Sequence, residues 1–368
     1  MEKRVGIITF HRVYNYGAVI QAYSLQKCIE VYGYKTEIID FSREIQRDYT
    51  DVISKKNGIK RFVKSLMLLP LLAERKTRKK RFDDFINCDL KISKESYHSE
   101  EVLKQISSSY DAYVCGSDQI WNPLKRSDFS QAYMLDFAEK NKISYAPSIG
   151  TAGENELSKY KELLKDFKAI SCREEGGAYI LQRMTKKNVP VVLDPTLLVE
   201  KKEILALTRV VHSEPYLFYY SLDGYENRSR NMDILNILAE KFGLKLKIIT
   251  PEWPYHKKVG EDIIDAGPKE FLTLIRNAAL ICTNSFHGTA LAIKLEKPFF
   301  VLEDIRIKDE RKRSLLNQLD LQNRIISTVN EANALDNYSL DYVPILKKLH
   351  LLKNVSEDFL VNALKDGL

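Results

Sequence analysis

Short runs of β-branched and aromatic residues alternate along the chain with longer segments whose apolar positions recur every three to four residues. That is the pattern of βαβ units around a parallel sheet. In the first half, strands are expected at Val5–Phe10, Thr36–Ile39, Asp111–Cys115, Ile143–Ala146, Ala169–Cys172 and Val191–Leu193, with a helix over Ala18–Tyr32 and a helical insertion from about Ile59 to Ile86. A second series follows the Asp194-Pro195 turn and the polar stretch Glu200–Ser213, which reads as the linker region. Its strands are expected at Tyr216–Ser221, Leu246–Thr250, Leu280–Thr283 and Phe299–Leu302, separated by helices at Arg228–Phe242, Lys269–Asn277 and Gly288–Leu295. Pro298 stops the last of these, and Ser356–Leu364 reads as an amphipathic helix. The expected fold is α/β, two Rossmann-like domains over residues 1–205 and 206–368, the first with a basic helical insertion at about 55–86. In such folds ligands sit beyond the carboxyl ends of the strands, so the residues just after each strand carry the functional reading.

Composition narrows the class. A chain of 368 residues, 44% hydrophobic and 29% charged, suits two globular domains and excludes wholesale disorder. Lys3 and Arg4 precede an apolar run that ends at His11, which reads as a first strand and not as a signal peptide. Pro70 interrupts the longest apolar stretch, Leu66–Ala73, well short of the ~20 residues that span a bilayer. Five cysteines without metal-ligand spacing predict reduced thiols, a cytoplasmic protein and no metal site. The net charge of +7 is uneven: Lys55–Arg81 holds eleven basic residues and one acidic, a local +10 that leaves −3 for the rest. A nucleic-acid coat would spread its basic residues more widely, so no nucleic-acid partner is expected. Leu66, Met67, Leu68, Leu69, Leu71 and Leu72 beside Arg75, Lys76, Arg78, Lys79, Lys80 and Arg81 resemble an interfacial anchor and predict peripheral contact with an anionic membrane at its inner face. The competing reading is an exposed helix whose leucines pack on the first domain.

Four strand-to-loop junctions carry candidate chemistry. At Cys282-Thr283-Asn284-Ser285-Phe286-His287-Gly288-Thr289 an apolar strand ends in small polar residues and a helix begins. Asn284 or Ser285 can cap that helix, Gly288 lets a ligand approach the backbone, and the first turn's N–H groups and dipole favour an anion. His287 in that turn is expected to be exposed to the active-site cleft as a neutral acid or base, against the alternative of a buried structural histidine. After Ala169–Cys172 comes Arg173, whose planar fork suits a carboxylate or phosphate, the alternative being a surface pair with Glu174 or Glu175. Gly116, Ser117, Asp118 and Gln119 suit a tight phosphate or sugar turn with Asp118 as base, or a plain turn. Asn15, Tyr16 and Gly17 open the first helix from an aromatic loop, suited to stacking on a sugar, to closing an interdomain cleft or to helix initiation; neither G-x-G-x-x-G nor a Walker motif is present. Cys115, Cys172 and Cys282 fall in buried strands and read as core.

Together, Asn15-Tyr16-Gly17-Ala18 with Gln21-Ala22-Tyr23-Ser24-Leu25, Cys115-Gly116-Ser117-Asp118-Gln119-Ile120-Trp121-Asn122, Ser144-Tyr145-Ala146-Pro147-Ser148-Ile149-Gly150, Ser171-Cys172-Arg173-Glu174, Asp194-Pro195-Thr196 and Asn284-Ser285-Phe286-His287-Gly288 resemble the ordered motifs of the polysaccharide pyruvyl transferase family, over about residues 5 to 303. The resemblance implies a GT-B-like fold with an interdomain active-site cleft, acceptor on the first domain and donor on the second. It implies transfer of a pyruvyl group from phosphoenolpyruvate to a saccharide or lipid-linked saccharide, usually as a ketal, with no cofactor. His287 and Arg173 match the histidine and arginine that the family uses on the donor; some members carry an arginine where this chain has Ser285. A nucleotide-sugar glycosyltransferase and a non-catalytic polysaccharide-binding protein are the alternatives on the same architecture.

Overall fold

The computed structural model describes residues 2–43, 68–125, 129–222, 228–249, 260–303 and 309–367. Residues 55–67 of the basic insertion, including Leu66 and Met67, lie outside the described residues. The chain divides into two compact units, Met1–Val199 with Leu351–Leu368, and Glu200–His350.

The first unit holds β1 (Arg4–Ile8), β2 (Lys35–Phe41), β3 (Ile92–Tyr97), β4 (Ala112–Cys115), β5 (Lys142–Ser144) and β6 (Ala169–Ile170) in one sheet of order β3-β2-β1-β4-β5-β6. All pairings are parallel, with Ile8 opposite Cys115 at the carboxyl end of the central pair. The central strands are buried on both faces, as a sheet covered by helices requires. Its helices include α1 (Tyr16–Glu30), α2 (Leu72–Cys88), α3 (Glu175–Thr185) and α4 (Pro195–Leu198). Asn15 caps α1, its Oδ1 accepting from Ala18 N at 3.2 Å. The core runs from Ile8 and Phe10 through Trp121 and Tyr133 to Cys172 and Leu181.

The second unit repeats the plan. Strands β7 (Tyr216–Tyr220), β8 (Lys245–Ile249), β9 (Glu261–Asp262), β10 (Leu280–Thr283), β11 (Phe299–Leu302) and β12 (Ile325–Ile326) form a parallel sheet of order β12-β11-β10-β7-β8-β9, with α5 (Arg228–Phe242), α6 (Pro268–Asn277), α7 (Phe286–Lys294) and α8 (Glu310–Gln318) among its helices. Numbered from its own first strand, this is the same 3-2-1-4-5-6 order as the first sheet. Each sheet therefore reverses direction between its first and fourth strands, which is where doubly wound folds bind ligands.

Several boundaries differ from the sequence reading. Val191 makes an isolated bridge to Cys172 and is not part of a strand, and the polar stretch after 200 contains a helix, Lys201–Ala206. The second unit was expected to run to residue 368, but the last helix, α9 (Tyr342–Gly367), ends with the first unit's residues. The reason is local: Leu193 N donates to Ser356 Oγ at 2.9 Å, Phe359 stacks 6.4 Å from Tyr145, and Leu360 and Leu364 are fully buried. No helix among the described residues is long and apolar enough to cross a membrane. All five cysteines are free thiols; burial pushes the Cys115, Cys172 and Cys282 thiols up.

Candidate active site

In the first unit, the loops after β1 and β4 meet at the sheet's switch point. Gln21 of α1 ties them together, its Nε2 donating to Thr9 Oγ1 at 2.8 Å while its Oε1 accepts from Ser117 N at 3.0 Å. The chain turns out of β4 through a cis Gly116–Ser117 peptide, then Asp118 at φ 70°. Gly116 has φ +123°, and a Cβ there would lie 2.0 Å from Tyr145 O, so only glycine fits. Ser117 is fully buried with its Oγ 2.8 Å from Ala146 O and 2.9 Å from Asp194 Oδ2.

Asp194, 1% exposed, is the hub of this cluster. Its Oδ2 accepts from Arg173 Nη1 at 2.7 Å, and its Oδ1 accepts from Thr196 N at 3.0 Å and Thr196 Oγ1 at 2.7 Å, which also caps α4. Arg173 Nη2 lies 3.7 Å from Asp118 Oδ1, and the arginine side chain is 1% exposed against 14% for Asp118. Burial works against the Arg173 charge, but Asp194, Asp118 and Glu174 outweigh it and hold the guanidinium above its usual pKa. Arg173 was expected to offer its fork to a ligand, or else to make a surface pair with Glu174 or Glu175. The surface pair does not form: the guanidinium is buried against Asp194, twenty-one residues on, with Asp118 beside it and still in contact with solvent. Gln119 N donates to Asp118 Oδ1 at 2.7 Å, fixing that carboxylate further.

A second polar cluster caps β1 and β2. Asp40, buried at the end of β2, accepts from Arg12 Nε and Nη2, both at 2.7 Å, from Ser96 Oγ at 2.5 Å, and lies 3.0 Å from His11 Nε2. Burial alone would raise its pKa, but the hydrogen bonds from Arg12 and His11 overcome that and hold the carboxyl far below its usual range. Asp40 was not singled out from the sequence, and Asp194 appeared there only as a turn and as part of the Asp194-Pro195-Thr196 motif, without a role, because the partners of each lie far away in the chain. Of the candidates in this loop, Asn15 is part-exposed, whereas Tyr16 and Gly17 are buried in the first turn of α1, Tyr16 beside Phe82 at 5.0 Å.

In the second unit the β10–α7 junction is built as a close fit of helix on strand. Ser285 is the N-cap, its Oγ accepting from Gly288 N at 3.4 Å, while Asn284 Oδ1 accepts from Leu222 N at 2.8 Å across the switch point. Thr283 Oγ1 donates to Tyr220 O at 2.7 Å and accepts from Ser285 N at 3.0 Å. Lys312 of α8 donates to Asn284 O at 2.7 Å, adding a cation to the junction. Gly288 was expected to admit a ligand; a Cβ there would lie 2.4 Å from Thr283 Oγ1, so the glycine is needed to seat the helix on β10. Thr289 is fully buried and donates to Ser285 O at 3.0 Å. His287 does not stand open as expected: it is 6% exposed in the first turn of α7. Asn284, half-buried, is the most exposed residue of this junction.

One open pocket of about 470 Å³, lined by Arg4, Glu30, Lys35, Glu37, Lys91 and Tyr110 among others, lies at the amino ends of β1 and β2. That is the wrong end of a doubly wound sheet for catalysis. No group of three or more His, Cys, Asp or Glu side chains among the described residues is placed to hold a metal ion.

Solved structures with the same pair of Rossmann-like sheets cover almost the whole chain. A Listeria monocytogenes protein provisionally assigned as a UDP-N-acetylglucosamine 2-epimerase aligns at TM-score 0.57 and 9% identity over 99% of this chain and 96% of that one. The S. aureus MnaA–UDP structure aligns at 0.54 and 10% over 99% and 96%. The Neisseria meningitidis UDP-GlcNAc 2-epimerase bound to UDP-GlcNAc aligns at 0.53 and 12% over 99% and 100%. At these identities the likeness establishes the GT-B-like fold alone. No curated protein matches the chain significantly. The family model for polysaccharide pyruvyl transferase matches residues 15–304, a span that takes in both switch-point clusters, and the chain belongs to that family.

Proposed function

We propose that the protein transfers the pyruvyl group of phosphoenolpyruvate to a saccharide of a surface polysaccharide or its precursor, forming a ketal across two hydroxyls. The observation that carries the reading is the family match over residues 15–304, spanning a base-bearing cluster on one sheet and a histidine-bearing helix start on the other. In the reaction the donor's methylene carbon takes a proton and becomes a methyl group, and the adjoining carbon becomes cationic. One sugar hydroxyl adds there, the C–O bond to phosphate breaks, and the second hydroxyl closes the ring. The products are a pyruvyl ketal and inorganic phosphate, so the protein must supply an acid, a base and groups that hold anions.

Asp118 suits the base. Its carboxylate keeps solvent access while Arg173 and the Gln119 N–H hold it in place. His287 suits the acid by its place in the first turn of α7, where the helix N-terminus beside it favours the donor's carboxylate or phosphate. Asn284, Ser285 and Lys312 surround that end. On this reading the acceptor lies on the first unit and the donor on the second. The structural neighbours include the S. aureus MnaA–UDP complex and an epimerase bound to UDP-GlcNAc, so a nucleotide-sugar donor is the reading to test against. Phosphoenolpyruvate, and not UDP-sugars, should raise the melting temperature, and phosphate should be released only when phosphoenolpyruvate and a saccharide are both present. Stabilisation by UDP-sugars with no phosphate release from phosphoenolpyruvate overturns the proposal.

A further inference from the structure

Two fully buried polar side chains, Thr9 just after β1 and Gln21 in α1, converge on the backbone of one residue in another loop. Ser117 N donates to Gln21 Oε1 at 3.0 Å, Gln21 Nε2 donates to Thr9 Oγ1 at 2.8 Å, and Thr9 Oγ1 donates to Ser117 O at 3.2 Å. The polarity of this ring is fixed throughout. A backbone N–H can only donate, so the amide oxygen of Gln21 faces Ser117 and its nitrogen faces Thr9; a carbonyl can only accept, so the threonine proton points at Ser117 O. Neither end of the clamp is loose, because Gln21 Nε2 also donates to Ala18 O at 3.0 Å in its own helix and Thr9 O lies 3.1 Å from His11 Nδ1. Ser117 O belongs to the peptide that leads into Asp118.

We infer that Thr9 and Gln21 are positioning residues: they set the peptide between Ser117 and Asp118, and through it the place of the Asp118 carboxylate, whose role as base rests on the proposed pyruvyl transfer. Three observations carry this. Thr9 and Gln21 stand 108 and 96 residues before Ser117 in the chain, yet together they hold both its N–H and its carbonyl. A buried amide and hydroxyl are costly unless every group is paired, and once paired they select one arrangement where apolar side chains would allow several. Asp118 has φ 70°, in the left-handed region, which a non-glycine residue keeps only where its surroundings fix it. The far side of the same segment is held separately, by Ala146 O and Asp194 Oδ2 against Ser117 Oγ and by Ser148 N donating to Asp118 O at 2.8 Å, so Thr9 and Gln21 supply the hold from the β1 side. Both are 0% exposed, so they act on a substrate only through a neighbour, whereas the Asp118 side chain keeps 14% of its surface open.

Thr9→Val keeps the shape of the side chain and removes its hydroxyl. In the full-length protein, without donor or saccharide, amide hydrogen exchange at Ser117 and Ser148 should then speed up by roughly three- to tenfold, the worth of one hydrogen bond, while Thr9→Ser should exchange as the parent does. In phosphate-release assays Thr9→Val should lower kcat about tenfold, short of the ~10²- to 10⁴-fold expected from losing a base, with KM for phosphoenolpyruvate within about twofold. Thr9→Ser should restore at least about half of kcat, since it returns the hydroxyl. In an Asp118→Glu background, where the carboxylate is already displaced, adding Thr9→Val should lower kcat by less than about twofold more. Thr9→Ala serves the same tests if the valine variant loses its melting transition. Equal losses of kcat in the two backgrounds, a change confined to KM, or unchanged exchange and turnover in Thr9→Val overturns the assignment. Faster exchange at Ser117 and Ser148 in a protein that never releases phosphate from phosphoenolpyruvate would leave the clamp standing and sink the reaction alone.

Discussion

Replacing Asp194 with Asn removes one charge at the centre of the first unit's cluster while preserving its shape. The amide oxygen can still accept from Thr196 N and Oγ1, as Asp194 Oδ1 does at 3.0 and 2.7 Å. The amide nitrogen, however, would then face Arg173 Nη1, which now donates to Oδ2 at 2.7 Å, so two donors would oppose each other beside a guanidinium 1% exposed. Breaking a buried ion pair from one side costs about 3–5 kcal/mol, because the surviving charge stays desolvated. Asp118 at 3.7 Å supplies part of a counter-charge, which favours the lower end of that range. For a unit of roughly 200 residues, 3–5 kcal/mol corresponds to a fall in Tm of about 6–20 °C. Trp121, fully buried in this unit, reports its unfolding once Trp253→Phe makes it the sole tryptophan. Arg173→Met should recover much of the loss when added to Asp194→Asn, since it removes the stranded charge. A Tm within 2 °C of the parent for Asp194→Asn, or strictly additive losses in the double variant, would refute the buried pair.

Gly288→Ala should lower the Tm of the second unit through a steric clash costing about 1–3 kcal/mol, less the ~0.5–1 kcal/mol that alanine gains in a helix, and Thr283→Ala should relieve it; an unchanged Tm with a raised donor KM would restore the ligand-approach reading. His287→Ala should lower kcat about 10²- to 10⁴-fold in steady-state phosphate-release assays on protein shown to be folded, with some fall in Tm from truncating a buried side chain, and near-normal turnover removes the histidine from the chemistry. Arg173→Lys should depress kcat and shift the acid limb of the pH–rate profile while donor KM holds, because lysine loses the second arm that reaches Asp118; a change confined to donor KM would return Arg173 to the donor. Because the folded-state pKa of Asp40 is depressed, its contribution to stability is complete above the unfolded carboxylate value of about 3.9 and shrinks as the pH falls below it, so urea unfolding between pH 5 and 3 should be steeper in the parent than in Asp40→Asn.

Much of the molecule is legible in the amino-acid order because its determinants are local. Runs such as Tyr216–Tyr220 and Leu280–Thr283 are apolar without alternation since both faces of a parallel strand are covered, and Ser285 announces a helix start by its own side chain. β3 escaped notice because its Ser-Lys-Glu-Ser interior is polar at the sheet edge, with Lys94, Glu95 and Ser96 exposed and Ser93 buried, and β9 and β12, two residues each, are too short to show a period. What only the tertiary structure decided is which polar groups find one another. Parallel pairing sets Asp40 beside Arg12 and His11, and the return of the chain through residues 190–196 brings Asp194 onto Arg173 and Ser117; neither partnership has a spacing that sequence could reveal. The same holds for Gly288, which suggests ligand access when read alone and proves to be a seat against Thr283 once the helix is packed. A carboxylate's partners and a glycine's neighbours are set by distances across the fold, and burial, which fixes the energy of each contact, exists only after the sheets have formed.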